Sequence, residues 1–171
     1  MRRVLTVALV LLLAQGCQRA STEGPGLSPL PGSIEAWGSS GRGQCRVPAP
    51  DADFIAIAGG VDISFGVRAD GTLEAWGWNI NGGCDLPQTT HRYVAVDGDF
   101  YGIALREDGS IEAWGLGGVL RSSLPCPNSG FVAIAAGGGH CLALRDDGSI
   151  AAWGKNDHGQ CDVAEPNGGY T

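Results

Sequence analysis

Positive charge is scarce in this chain: 11 Lys and Arg stand against 18 Asp and Glu in 171 residues, a formal net charge of −7. Binding a phosphate backbone takes clustered basic side chains, so nucleic acid is excluded as the main partner. Histidine is rarer still; His91, His140 and His158 are the whole complement. No Gly-x-Ser-x-Gly element occurs, and no nucleophile with a base, or pair of opposed carboxylates, can be assembled from the pattern. The sequence therefore offers no catalytic residue, and nothing in it asks for a cofactor. Beyond the first residues no stretch repeats its apolar positions every 3.6 residues, which excludes a helical domain. No apolar run approaches the roughly 20 residues a membrane-crossing helix needs. Glycine, by contrast, is abundant at 29 residues, with no Gly-X-Y period that would make it collagen-like. Five Trp and many Ile, Val and Leu argue against disorder.

The chain opens with Arg2 and Arg3, then an 11-residue apolar run from Val4 to Ala14. That is the length of a secretory h-region. Ala14-Gln15-Gly16-Cys17 follows. Small residues directly before a cysteine resemble the lipobox of bacterial lipoproteins. The resemblance implies cleavage before Cys17, lipidation of Cys17 (palmitate among the acyl chains) and a membrane anchor. Gln18 after the cysteine implies the outer membrane of a bacterial cell envelope, facing the periplasm or the surface. An ordinary cleavable signal peptide is the alternative. Residues 18–31, rich in Ser, Pro and Gly, read as a flexible tether. The expected organisation is thus a signal peptide and lipobox at 1–17, a tether at 18–31 and a repeat domain at 32–171.

The repeat is plain in the text of the chain. GSIEAWG stands at 32–38 and again at 109–115, with GTLEAWG at 71–77 and GSIAAWG at 148–154. Trp37, Trp76, Trp114 and Trp153 lie 39, 38 and 39 residues apart. A fixed period of this size signals a solenoid, a propeller or an array. Before each of the last three copies an apolar run meets Asp-Gly, at Asp70-Gly71, Asp108-Gly109 and Asp147-Gly148. Asp-Gly between two alternating runs predicts a hairpin, because glycine accepts positive φ. A three-residue loop with Gly109 left-handed sets Leu105 opposite Ile111, Ile103 opposite Ala113 and Gly102 opposite Trp114. The same register sets Ser64 across from Trp76 and Cys141 across from Trp153, a small residue under every indole. Val67 then faces Leu73, and Leu144 faces Ile150. The runs FIAIAGG at 54, YVAVDGD at 93 and FVAIAAGG at 131 read as a further strand per unit, packed on both faces. One unit cannot bury both of its faces alone, so neighbours must shield one another. The expected fold is all-β, a partial or small β-propeller of about three and a half repeats of ~39 residues.

AIAAGGGHCLALRDDGSIAAWGKNDHGQC, at 133–161, resembles the regulator of chromosome condensation repeat family in a short bacterial form. The resembling positions are Gly137 to Gly139, His140, Cys141, Ala143-Leu144, Asp147-Gly148, Trp153-Gly154, Asn156 and Gly159-Gln160, and the likeness extends over 32–171. It implies a propeller whose recurring Trp and Gly residues (Trp37, Trp76, Trp114, Trp153, Gly71, Gly109, Gly148) are structural. Departures are Ile63 and Tyr101 where the third full unit has His140, and VLRSSLPC in place of a Gly-Gln-Cys element. Members of the family include a nucleotide exchange factor for the Ran GTPase and a bacterial inhibitor of beta-lactamases. The count also departs: three complete units, one orphan Trp strand and one half unit leave open a small closed ring, a homo-dimer of paired copies completing a ring, or a partial chain.

Function then rests on the loops. The reading is a non-catalytic protein-interaction scaffold that binds an unknown protein or cell-wall component. Inhibition of a secreted enzyme of the beta-lactamase type is the alternative, and a guanine nucleotide exchange factor-like role stands behind it. Trp78, Tyr101 and the 116–123 loop vary between copies and are the candidate binding residues; Tyr93 and Phe100 are assigned to the core. Asp70, Asp108 and Asp147 are assigned to turns rather than calcium. Glu35, Glu74 and Glu112 are assigned to a solvated rim. His140-Cys141 and His158 with Cys161 lie in different parts of different units, so no metal site is expected. Cys45, Cys84 and Cys161 hold equivalent places too far apart to bridge. The pairing of Cys45, Cys84, Cys126, Cys141 and Cys161 is otherwise open, with Cys84–Cys126 conceivable.

Overall fold

The computed structural model describes residues 32–116 and 119–170. The lipidation residue Cys17, the signal peptide at 1–17 and the tether at 18–31 lie outside the described residues. Nine strands form three sheets of three. Blade 1 is β1 (Phe54–Gly59), β2 (Ile63–Arg68) and β3 (Leu73–Gly77); blade 2 is β4 (Tyr93–Gly98), β5 (Gly102–Arg106) and β6 (Ile111–Trp114); blade 3 is β7 (Phe131–Ala136), β8 (His140–Arg145) and β9 (Ile150–Gly154). Each sheet is antiparallel in simple sequence order. The architecture is all-β, a partial propeller. A four-residue helix, α1 (Val119–Ser122), follows blade 2. Among the described residues no helix is long and apolar enough to cross a membrane.

The hairpin register is the one the Asp-Gly turns predict. Leu105 pairs with Ile111, Gly102 with Trp114, Ser64 with Trp76 and Cys141 with Trp153. In the middle turn the Gly109 amide donates to the Arg106 carbonyl at 3.0 Å while the Arg106 amide takes the Ser110 carbonyl at 2.8 Å. Gly109 has φ 77°, a value an L side chain resists. The Asp108 carboxylate accepts the Ser110 amide at 2.9 Å, and Asp70 and Asp147 do the same for Thr72 and Ser149. These carboxylates therefore fold the turn back on itself.

Adjacent blades touch along their first strands, β1 with β4 and β4 with β7. Two buried clusters fill the two junctions. Ile63, Phe65 and Val67 of blade 1 meet Tyr93, Val96, Ala104 and Trp114 of blade 2. Tyr101, Ile103 and Leu105 of blade 2 meet Phe131, Cys141, Ala143 and Trp153 of blade 3. The junctions are thus the same interface twice, built from matching register positions.

The first strands are not packed on both faces as expected. Each carries a bulge at its second residue, between Phe54 and Ala56, Tyr93 and Ala95, and Phe131 and Ala133. The bulged residues Ile55, Val94 and Val132 turn aside from the ladder and are exposed. The orphan Trp strand also differs. Among the described residues, 33–37 pair with no strand, and Trp37 is 54% exposed while Trp76, Trp114 and Trp153 are buried. Those three indoles lie on the second strand of their own blade; among the described residues Trp37 has no such strand to cover it.

Candidate functional site

Between each Trp and the next blade the chain makes a connecting segment, and these segments build the edges of the molecule. Because the strands are antiparallel, the β1–β2, β4–β5 and β7–β8 turns and the residues just after each Trp share one edge, the upper rim. The Asp-Gly turns and the ends of the connecting segments share the lower rim.

The segments are pinned blade to blade by a recurring set of bonds. The Trp76 indole donates to the Gln44 carbonyl at 2.8 Å, and the Trp114 indole to the Gly83 carbonyl at 2.7 Å. Both acceptors lie seven residues after the preceding Trp. In the third unit that place is Arg121, inside the turn of α1, and among the described residues the buried Trp153 indole nitrogen finds no acceptor. Within the departing VLRSSLPC segment, Leu120 is buried against blade 3. On the lower rim the carbonyls of Gly32, Gly71, Gly109 and Gly148 accept the amides of Phe54, Tyr93, Phe131 and Tyr170 at 2.9–3.1 Å.

Two further sets escaped the sequence reading although their spacing was visible. Asp51, Asn128 and Asn167 stand 14 residues after Trp37, Trp114 and Trp153 and accept the amides of Ile34, Ile111 and Ile150 at 2.7–2.9 Å. Arg68, Arg106 and Arg145 stand three residues before the turn glycines. Arg68 and Arg145 lie over the rings of Phe54 and Phe131, at 4.2 and 4.1 Å. Arg106 instead pairs with Glu112, which also accepts the Tyr93 hydroxyl at 2.6 Å. Glu112 is therefore not a solvated rim residue; it is buried, and Glu74, half-buried, is bonded to Arg68 at 2.9 Å. Only Glu35 of that series is exposed. Burial would raise the Glu112 carboxyl, but the Tyr93 hydroxyl and the Arg106 guanidinium outweigh it and hold the group below its ordinary value.

The candidate binding residues separate. Tyr101 is 1% exposed, so it is no surface anchor. Its hydroxyl reaches across the second junction, donating to the Gly137 carbonyl at 2.7 Å with the His140 carbonyl at 2.9 Å. Burial, and then the Cys141 thiol beside it, push that hydroxyl far above the usual phenol range. Burial likewise raises the Cys141 thiol to about 11. Trp78 is half-buried on the upper rim, with the Arg42 guanidinium 4.0 Å above its ring. The 116–123 loop contains α1. Phe100, assigned to the core, is exposed on the upper rim, whereas Tyr93 is buried as expected.

Other candidates remain apart. His91 lines a shallow lower-rim depression with Arg92, Arg106, Glu107 and Asp108. His158 is exposed, and His140 contributes its backbone carbonyl to Tyr101. Among the described residues no three His, Cys, Asp or Glu side chains gather where they could hold a metal ion. Cys84 and Cys126 are free thiols, so the conceivable Cys84–Cys126 bridge does not form. The Cys45 and Cys161 thiols point at the carbonyls of Ser39 and Lys155, six residues earlier in each case.

Comparison with known proteins places this arrangement. Residues 131–160 match the regulator of chromosome condensation (RCC1) repeat. Among solved structures, yeast RCC1 (Prp20) bound to Kap60 superposes with a TM-score of 0.63 at 17% identity, over 81% of this chain and 43% of that one. Human WBSCR16 gives 0.57 at 19%, over 68% and 41%. The ectodomain of the Physcomitrella patens receptor kinase CR4 gives 0.58 at 20%, over 69% and 32%. The chain spans less than half the length of each, and at these identities the likeness is one of fold. No curated protein matches the chain.

Proposed function

We propose that this protein is a non-catalytic protein-interaction scaffold, held at a bacterial cell envelope through Cys17, whose blades present a binding rim. One observation supports the reading above the others. The bonds that hold the blades recur unit after unit, while the side chains that differ between units and face water gather on the connecting turns. A rigid frame with variable turns is how interaction modules vary partners without losing the fold. Proteins of the same fold bind protein partners: one solved structure is of yeast RCC1 with Kap60, another concerns binding of Prp20p to Gsp1p and histones.

The test is a photo-cross-linker placed at Ile80 in cells that express the full chain, with adducts identified by mass spectrometry and competed by purified chain. A discrete, competable protein adduct is the expected result; cross-links to solvent and lipid alone would reject the scaffold. Cys17→Ala should release the chain from the membrane fraction, and retention there would reject the anchor. Inhibition of a secreted enzyme is the second reading, and a purified beta-lactamase titrated with the chain discriminates it. Pairing of two copies through the outer faces of blades 1 and 3 belongs to the same proposal.

A further inference from the structure

The scaffold reading leaves open which rim binds and what chemistry it takes. The two rims differ in apolar exposure. Among the described turn and connecting residues, the large exposed apolar side chains beyond the orphan Trp are Val61 at 60%, Ile80 at 59%, Phe100 at 38% and Tyr170 at 38%. The first three are all on the upper rim, where blades 1 and 2 meet. They belong to one surface: the Gly60 backbone abuts the Asp99 carbonyl, Gly83 abuts the Phe100 carbonyl, and the Val61 amide faces the Asp99 carboxyl.

The upper rim at this junction is also acidic. Stretches 59–62, 77–86 and 97–102 hold Asp62, Asp85, Asp97 and Asp99 and no Lys or Arg. None of these four enters an ion pair among the described residues; Glu74, Glu107 and Glu112, at or below mid-blade, are each matched by an Arg, and the lower-rim carboxylates Asp70, Asp108 and Asp147 are bonded within their own turns. Asp97 is spoken for by the Ala136 amide across the second junction, and Asp62 by the Gln44 amide. Asp99 has only the Val61 amide, and burial leaves its carboxyl raised and short of a countercharge. The chain's own Arg42, reaching over Trp78 from the segment before blade 1, shows the side-chain type this rim accepts.

Resting on the scaffold reading, we propose that the upper rim at the blade 1–blade 2 junction docks a partner-protein segment that alternates aliphatic and cationic side chains. Val61, Ile80 and Phe100 supply the apolar contact, and Asp99 supplies the charge. Exposed apolar side chains beside a carboxylate without a countercharge are complementary to such a segment and repel an acidic one.

The test uses the full chain and three fluorescein-labelled twelve-residue peptides: alternating lysine and leucine, glutamate and leucine, and lysine and serine. Fluorescence anisotropy should show binding of the first alone, weakening with added salt. Val61→Ser with Phe100→Ser, and separately Asp99→Asn, should each weaken it about tenfold, while Arg92→Ala on the lower rim leaves it unchanged. Circular dichroism and melting of each variant show that the fold survives. Equal binding of the glutamate peptide, indifference to the upper-rim changes, or no binding to any peptide overturns the proposal. A competable protein adduct at Ile80 alongside any of those results would leave the scaffold standing with a partner of different chemistry.

Discussion

Gly102 has no side chain, and the Trp114 ring lies where one would project. An added Cβ would meet the indole at several atoms, and the ring has nowhere to go because its nitrogen is tied to the Gly83 carbonyl. Gly102→Ala should therefore destabilise the chain by about 1–3 kcal/mol, the usual cost of overfilling a tight core. The urea midpoint reads this, and an unchanged midpoint would mean that the ring shifts freely. The small-residue rule was legible beforehand because hairpin register fixes what faces each Trp. The neighbouring Glu112 was not. Glu35, Glu74 and Glu112 look alike in the repeat, and only the hydroxyl of Tyr93, where the other units have Phe54 and Phe131, draws Glu112 into a bonded, buried cluster. Glu112→Gln should cost about 2 kcal/mol at neutral pH, the scale of hydrogen bonds to a charged group. The folded carboxyl titrates below its ordinary 4.5, so its contribution is complete above that value and decays as pH falls through the folded one. Denaturation of wild type and variant side by side should show the gap closing as pH falls below the ordinary carboxylate range; a gap that stays constant would mean the charge plays no part.

At the level of the element, each blade is a Trp-bearing hairpin fastened to the segment that precedes it. Two of the three fastenings are complete and the third is open, since among the described residues the buried Trp153 indole nitrogen has no acceptor. Replacing Trp114 by Phe removes ring area and strands the Gly83 carbonyl. Replacing Trp153 by Phe removes the same area and also removes a donor that nothing satisfies. Trp153→Phe should thus be milder than Trp114→Phe by about 1 kcal/mol. Equal losses, read from thermal or urea melts, would show that the third fastening is made after all. Strand order, turn type and register were readable because they follow from periodicity two and from Asp-Gly geometry. The departures were readable only as departures: VLRSSLPC announced a different segment after blade 2, without saying that Leu120 would join the core of the second junction. Residues 33–37 copy the third-strand phrase closely and, among the described residues, make no sheet, because a strand needs a neighbour and the phrase does not carry one.

Across the whole molecule the same position can be core or surface, depending on whether a blade stands next to it. Val96 on blade 2 is 6% exposed, and its counterpart Ile57 on blade 1 is 49% exposed. Phe65, Val67, Ile103 and Leu105 are 0–4% exposed, and their counterparts Leu142 and Leu144 on blade 3 are only half-buried. Among the described residues no blade precedes β1 or follows β9, so the two outer faces are those a propeller would normally shield. A second copy cannot reach them simply by continuing the series. Gly148 already holds Tyr170 as Gly32 holds Phe54, so residues 148–170 of one copy and 32–53 of the next would claim one place between the same two blades. Pairing of copies must then displace one of those segments. The expectation follows for matched substitutions on the full chain at low concentration. Leu105→Ala should cost about 2–4 kcal/mol, as a buried Leu does, and Leu144→Ala about 1 kcal/mol or less, as a half-covered one does. If a second copy covers blade 3, light scattering gives twice the chain mass, the melting temperature rises with concentration, and Leu144→Glu returns the monomer. That dimer should also show fast hydrogen exchange at the Phe54 or Tyr170 amide, the bond one copy has to release. A dimer that keeps both amides protected would put the contact on some other surface.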